Sequence, residues 1–370
     1  MFTTTNVSSV RFLARAARAG RGLVLACLVC AASTAQARTA IDLIGHRIDV
    51  PAEVQRVGTP GISMASLIVV LGGPAKLVAA TPEVRDNPWL RRIAPALAQV
   101  PVPFTRPAGV NPESLLALRP ELVTLWFGNA PTAARIEALG IPVFTLGYTT
   151  PDEMRQTVRL LGRAMGPMEA ERAELFVRYY DDNLARVAQG LAGLPPAERP
   201  RVYYASLDPL LTEGSASMID AWITHAGGIN TAARAGLKGD GHVQLEDVLA
   251  WNPQIIVTLD TAQRDAILAD ARWQHVDAVR NHRVLVNPRG VNAWCTRATE
   301  AALQVLWAAK TLHPKRFASI DMAAETRRFY RLFYHYELND DEVARVLAGL
   351  PPPEAPLPGL QLENAVKPRR

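Results

Sequence analysis

The sequence predicts an α/β protein. It should form two Rossmann-like lobes on mostly parallel sheets, joined by one long rigid helix, with a ligand cleft between the lobes. Three observations predict this. First, one pattern occurs twice, at 111–123 (NPESLLALRPELV) and at 243–257 (VQLEDVLAWNPQIIV). Each copy reads as a short helix with an early Glu, a Pro-containing turn and a buried strand. Second, strand-like and helix-like segments alternate in both halves, the rhythm of parallel sheets covered by helices. Third, an uninterrupted helical pattern fills 169–192, where Phe176, Tyr180, Leu184, Val187 and Leu191 recur at helical spacing. Two similar lobes enclose a cleft, and clefts between lobes are where ligands bind.

In order, the first half predicts strands at 55–58, 76–80, 122–126 and 142–146, and helices at 64–71, 111–118 and 132–139. Gly72-Gly73-Pro74 and Gly140 punctuate the helices. The long helix starts after Gly166-Pro167 and stops at Gly193-Leu194-Pro195-Pro196. At 1.5 Å per residue it spans roughly 36 Å, a stiff spine rather than a loose hinge. The second half predicts strands at 201–205, 255–259 and 284–286, and helices at 217–226, 243–250 and 299–311. A helical layer at 323–333 and 340–350 follows. The expected divisions are a leader at 1–37, a first lobe at 38–165, the spine at 166–195, a second lobe at 196–350 and a Pro-rich disordered tail at 351–370.

The leader carries Arg11, Arg15, Arg18 and Arg21, an apolar run at 22–32 and a small-x-small cleavage site at Ala35-Gln36-Ala37. These are the marks of a signal peptide cleaved near Ala37. The run is too short to span a bilayer, which takes about 20 apolar residues. Val24-Leu25-Ala26 is a poor match to the small residues expected before a lipidated Cys27. The leader holds four of the 40 basic residues and none of the 35 acidic ones, so the net +5 falls to +1 without it. No basic face for nucleic acid is implied. Cys27 and Cys30 leave with the leader, and Cys295 alone excludes an intrachain disulfide.

The chain resembles the substrate-binding proteins of bacterial ABC importers, in the cluster that handles iron-siderophores, haem and cobalamin on a single-helix spine. The resemblance rests on 71–81 (LGGPAKLVAAT), 111–123, 226–230 (AGGIN), 243–257, 280–288 (RNHRVLVNP) and 305–317 (VLWAAKTLHPKRF). It implies a monomeric periplasmic binding protein, not an enzyme, with no intrinsic cofactor. The implied ligand is a metal chelate, a ferric siderophore first. Haem, cobalamin, a nickel chelate and an oxyanion such as molybdate are the alternatives. The implied partners are an inner-membrane ABC permease and its ATPase. Glu113 and Glu246, one per lobe, would pair with arginine pockets on the permease, with Asp247 a competing candidate. A membrane sensor could take the permease's place. An acid in a first helical turn also stabilises the helix by itself.

Cleft loops at the carboxyl ends of strands are expected at 59–64, 81–88, 104–107 and 127–129, and at 206–210, 234–242 and 287–297. They hold Arg85, Arg106, Arg234, Lys238, His242, Arg289, Trp294 and Arg297. Guanidinium forks suit carboxylates, oxyanions and planar ligands, so an anionic ligand is expected. The resemblance favours the late loop, and with it Trp294 and Arg297. Each has a bland alternative: Trp294 in the core, Arg297 paired with Glu300, and Arg85 an exposed loop residue beside Glu83 and Asp86. His242, Cys295 and Asp240 are metal-binding types whose spacing matches no metal signature. His242 could still complete a chelated nickel or iron, and Tyr148, Tyr203 and Tyr204 are the axial candidates for haem. Gly61-Ile62-Ser63-Met64-Ala65 approaches a nucleophile elbow, with Ala65 where the last Gly belongs. A hydrolase would enlist Ser63 with His282 or His313. The alternative has Ser63 capping the helix that starts at Met64.

Overall fold

The computed structural model describes Met1 and residues 38–105 and 109–354. The expected leader, Arg106 and the tail from 355 onward lie outside the described residues. An antiparallel hairpin, β1 (Arg38–Ile41) and β2 (Arg47–Val50), opens the first lobe. There follow β3 (Val57–Gly58), α1 (Ile62–Gly72), β4 (Leu77–Ala79), α2 (Pro82–Arg85) and α3 (Pro88–Ile93). A small ladder of β5 (Phe104–Thr105) and β6 (Gly109–Val110) leads to α4 (Pro112–Ala117), β7 (Leu122–Trp126), α5 (Ala130–Glu137), β8 (Val143–Leu146) and α6 (Pro151–Met165). The main sheet is parallel, in the order β4-β3-β7-β8.

The spine is α7 (Pro167–Gly190), 24 residues long. It is fastened to both lobes. Glu169 in its first turn is buried and pairs with Lys76 at 2.9 Å. Arg172 donates to the Val70 carbonyl of α1 at 3.0 Å. Beyond its midpoint, Asn183 donates to the Ala302 carbonyl of the second lobe at 2.8 Å.

The second lobe runs β9 (Arg201–Ala205), β10 (Leu211–Glu213), α8 (Met218–His225), β11 (Ile229–Asn230), α9 (Thr231–Arg234), β12 (Asp240–His242), α10 (Leu245–Trp251) and β13 (Ile255–Thr258). It continues with α11 (Thr261–Ala269), α12 (Asp277–Arg280), β14 (Val284–Val286) and α13 (Ala301–Leu312). Its parallel sheet has the order β11-β9-β13-β14. In both lobes, therefore, the second strand lies outside the first, and the third and fourth lie on its other side. Such a reversal opens a crevice at the carboxyl ends of the first and third strands.

The duplication extends to single hydrogen bonds. Arg56, just before β3, donates through Nε to the carbonyls of Leu118 and Arg119 after α4, both at 3.1 Å. Arg201, at the start of β9, does the same to Trp251 (3.2 Å) and Asn252 (3.1 Å) after α10. Arg119 and Asn252 both stand at φ +44°, and a Pro follows each. The left-handed residue ends the helix, and the arginine satisfies its orphan carbonyls.

A helical layer closes the molecule: α14 (Met322–Phe329), a π-helical turn Tyr330–Tyr334 and α15 (Asp340–Leu347). Phe329 and Phe333 stack on Phe176 and Tyr179 of the spine, with ring centres 5.3–6.5 Å apart. This layer also ties the lobes together. Arg92 of α3 donates to buried Glu342 at 2.7 Å, and the Trp89 indole N–H donates to the Leu350 carbonyl at 3.2 Å. The Arg289 amide donates to the Val346 carbonyl at 2.9 Å. Asn87 reaches the Val291 carbonyl directly at 3.0 Å. Among the described residues no helix is long and apolar enough to cross a membrane.

Candidate functional site

A cavity of about 580 Å³ opens at the carboxyl edge of the first lobe's sheet. Its floor is Thr59, Pro60 and Gly61 after β3, with Thr124, Leu125 and Trp126 of β7. These are the ends of the first and third strands, where the sheet order reverses. Thr81, Phe104, Thr105, Asn129 and Thr132 add walls. Among the described lining residues Arg297 is the one from the second lobe. Its guanidinium carbon lies 5.7 Å from the Trp126 ring centre, and its Nε donates to the Tyr148 carbonyl at 3.4 Å. Both partners belong to the first lobe, so Arg297 bridges the cleft.

The lining is rich in donors. Helix α1 starts at the cavity with Gly61 as N-cap, no side-chain cap and no acidic residue in its first turn. Its first amides are thus left to whatever occupies the cavity. The hydroxyls of Thr81 and Thr124 are buried and make no hydrogen bond with any described residue. Among the described lining residues none is acidic. A helix N-terminus, hydroxyls bonded by no described residue and a guanidinium, with no acid in the described lining, suit a negative group.

The expected contacts divide. Arg297 joins the cavity. Arg106 lies outside the described residues, although its neighbours Thr105 and Gly109 line the cavity. Trp294, expected to face the cleft, is instead a core residue with 0% exposure, because the late loop folds back, the Trp294 amide donating to the Pro288 carbonyl at 3.0 Å, and turns the indole into the apolar core. Arg85 is held in a fork by its neighbour Asp86, at 2.9 and 2.8 Å. Arg234 lines a separate hollow with Arg201, Trp251 and Asn252, at the amino edge of the second sheet. His242 and Asp240 are exposed on the β10–β12 ladder, and Lys238 is exposed just before it. Arg289 is half-buried and anchored through its amide to Val346. An Arg297–Glu300 ion pair is not formed. Glu300 is wholly buried and bonded elsewhere, and burial raises its pKa. Half-buried Glu213 instead feels the Arg297 charge, which offsets part of the upward shift that burial gives its carboxyl.

The alternative chemistries fare as follows. Among the described residues no group of three or more His, Cys, Asp or Glu stands together as a metal centre. The Cys295 sulfur is buried, 3.6 Å from the Tyr204 hydroxyl, and burial pushes its pKa up to about 12. The expected axial tyrosines Tyr148, Tyr203 and Tyr204 are core residues, and the Tyr203 hydroxyl donates to the Pro209 carbonyl at 2.9 Å. Ser63 lines the cavity but does not cap α1. The helix begins two residues earlier than expected, at Ile62, and Gly61 takes the cap. His313 lies 3.3 Å from the Gly227 carbonyl, and His282 is exposed in the turn before β14.

Glu113 and Glu246 occupy equivalent places, exposed in the first turns of α4 and α10. Each helix passes its C-terminal end to the amino end of the next strand, so both first turns stand toward the carboxyl edges. Asp247 is committed to a capping box, accepting from the Gln244 amide at 2.9 Å. The Glu113 carboxylate makes no hydrogen bond or ion pair with any described residue.

Residues 63–289 match the family model for periplasmic binding proteins. The chain belongs to that family. The periplasmic binding protein is 27% identical over 353 residues to a molybdate-binding protein, MolA, of Haemophilus influenzae, covering 88% of this chain and 99% of that one. The crystal structure of MolA bound to molybdate superposes with a TM-score of 0.73 at 26% identity, over 82% of this chain and 99% of that chain. A periplasmic solute-binding protein of Veillonella parvula superposes at 0.75 with 28% identity, over 84% and 97%. The protein is a substrate-binding protein of the kind that serves ABC transporters, and its family consists of solute-binding proteins rather than enzymes.

The sequence pattern places first-lobe cleft loops at 59–64, 81–88, 104–107 and 127–129, but the ligand contacts it offers there are only Arg85 and Arg106. It missed Thr81, Thr124 and Trp126. A hydroxyl at the end of a buried strand was the available signal.

Proposed function

We propose that this protein captures a compact oxyanion of the molybdate class and delivers it to an inner-membrane ABC permease and its ATPase. It would work in the periplasm after the leader is removed near Ala37. The observation that carries the reading is the lining: Arg297 on one side, the open N-terminus of α1 on the other, unpartnered hydroxyls between them and no acid among the described lining residues. The similarity to MolA supports it. Glu113 and Glu246 serve as the docking charges, which set orientation and register more than affinity.

Isothermal titration of the purified protein with molybdate and tungstate tests the ligand. Binding is expected, and Arg297→Ala should weaken it by about 10- to 100-fold, the worth of a charge-assisted hydrogen bond. Equal binding by the variant, or no binding of either anion, defeats this assignment. Replacing both Glu113 and Glu246 by Lys should abolish uptake by cells and leave affinity unchanged.

A second reading is an anionic metal chelate, with a ferric siderophore foremost. The cavity of about 580 Å³ is roomier than a bare oxyanion needs, and the Trp126 face suits a planar chelator. The same titration with a ferric catecholate separates the two.

A further inference from the structure

Arg297 reaches the cavity from a loop between β14 and α13, and the anchor of that loop lies below it. Glu300, at the N-cap of α13, is 0% exposed. Its carboxyl accepts the Val291 amide at 2.8 Å and the Tyr330 hydroxyl at 3.3 Å on one oxygen. The other oxygen accepts the Thr299 hydroxyl at 2.9 Å. Thr299 in turn lies 2.6 Å from the Tyr334 hydroxyl. The loop is thus stapled at both ends, at Val291 before Arg297 and at Thr299 after it, onto two phenols of the π-helical turn.

Gly290 shows how tight this staple is. A Cβ there would fall 1.9 Å from the Tyr330 hydroxyl oxygen and 2.6 Å from a Glu300 oxygen. Any larger residue would force the carboxyl and the phenol away from the loop. A buried carboxyl is costly unless its hydrogen bonds are satisfied, and here no cation among the described residues pairs with it. Its partners all belong to the loop and to the layer that supports the loop.

We infer that Glu300 is a positioning residue for ligand capture: it holds the 287–300 loop so that Arg297 stands over the cavity. The inference rests on the proposed role of Arg297, but its test can be read apart from it. Glu300→Gln keeps a carbonyl oxygen for the Val291 amide and can donate to Thr299, whereas Glu300→Ala keeps neither. Molybdate affinity should fall about tenfold in Glu300→Ala and stay within about threefold of the parent in Glu300→Gln. In an Arg297→Ala background, Glu300→Ala should add nothing further, because the residue it positions is gone. Additive losses would overturn the inference, as would a Glu300→Ala variant of unchanged affinity. If the parent protein binds no molybdate, the functional reading falls, and a crystal structure of ligand-free Glu300→Ala decides the positioning role. Arg297 displaced from the Trp126 ring would sustain that role. Arg297 still stacked on the ring, as now at 5.7 Å, would overturn it.

Discussion

The two lobes share a sheet order, a helix-ending clasp and even a backbone angle, yet they treat their first long helix in opposite ways. In the first lobe α1 starts with Gly61, uncapped, at the cavity. In the second lobe α8 starts with Ser217, whose hydroxyl accepts from the Asp220 amide at 3.1 Å, and Asp220 itself sits in the first turn. Ser217 is buried and the helix end is closed. Of these two equivalent helix starts the duplicated scaffold leaves one uncapped at the cavity and caps the other. The second lobe contributes to the site by a loop, through Arg297.

Closing the open end should have the largest effect. Gly61 has an extended backbone (φ −122°), and a Cβ there would meet nothing within 4 Å. Gly61→Asp therefore gives α1 the cap it lacks. Thermal unfolding should show a gain of about 0.5–1 kcal/mol. Titration should show at least about a tenfold loss of oxyanion affinity, because a carboxylate now faces the ligand. A variant that is stabilised and binds undiminished would end the claim that this helix end receives the anion.

Opening the closed end is the converse. Ser217→Ala should cost about 1 kcal/mol of stability and leave affinity untouched, since α8 faces no part of the cavity. A change in affinity would show that the second lobe takes part through its first helix as well.

The smallest effects test the similarity rather than the difference. Arg56→Ala and Arg201→Ala each remove the same carbonyl clasp, exposed at Arg56 and half-buried at Arg201, and should each cost about 1 kcal/mol in denaturant melts, with Arg201→Ala the costlier because Arg201 also pairs with Asp277 at 3.6 Å. A costlier Arg56→Ala would mean that the shared geometry conceals unequal roles.

Much of this architecture was legible in the sequence, because periodicity and punctuation act locally. The strands at 122–126, 201–205 and 284–286 stand where the pattern put them. Helix α6 was missed, although Thr150 and Glu153 form a capping box at its start. The hairpin of β1 and β2 was missed as well, since only Ala40, Ile48 and Val50 of its two strands are buried. The site was less legible. A long cation shows its charge in the sequence but not where its head goes: Arg85 folds back on Asp86, while Arg297 crosses the cleft. Thr124 looks like any residue of a buried strand, and only the neighbouring strand's end leaves its hydroxyl without a partner. Trp294 was read as a contact because aromatic residues favour both cores and ligands, and the turn of the backbone decides between them.

The C-terminal layer carries a consequence for kinetics. It joins α3 to the late loop through the Arg92–Glu342 pair, the Trp89–Leu350 bond and the Arg289–Val346 bond. Lobes tied in this way do not need to swing shut around their cargo. Encounter with ligand is then not slowed by a conformational step. On the proposed function, differences in affinity among anions should therefore appear in residence time rather than in the rate of capture.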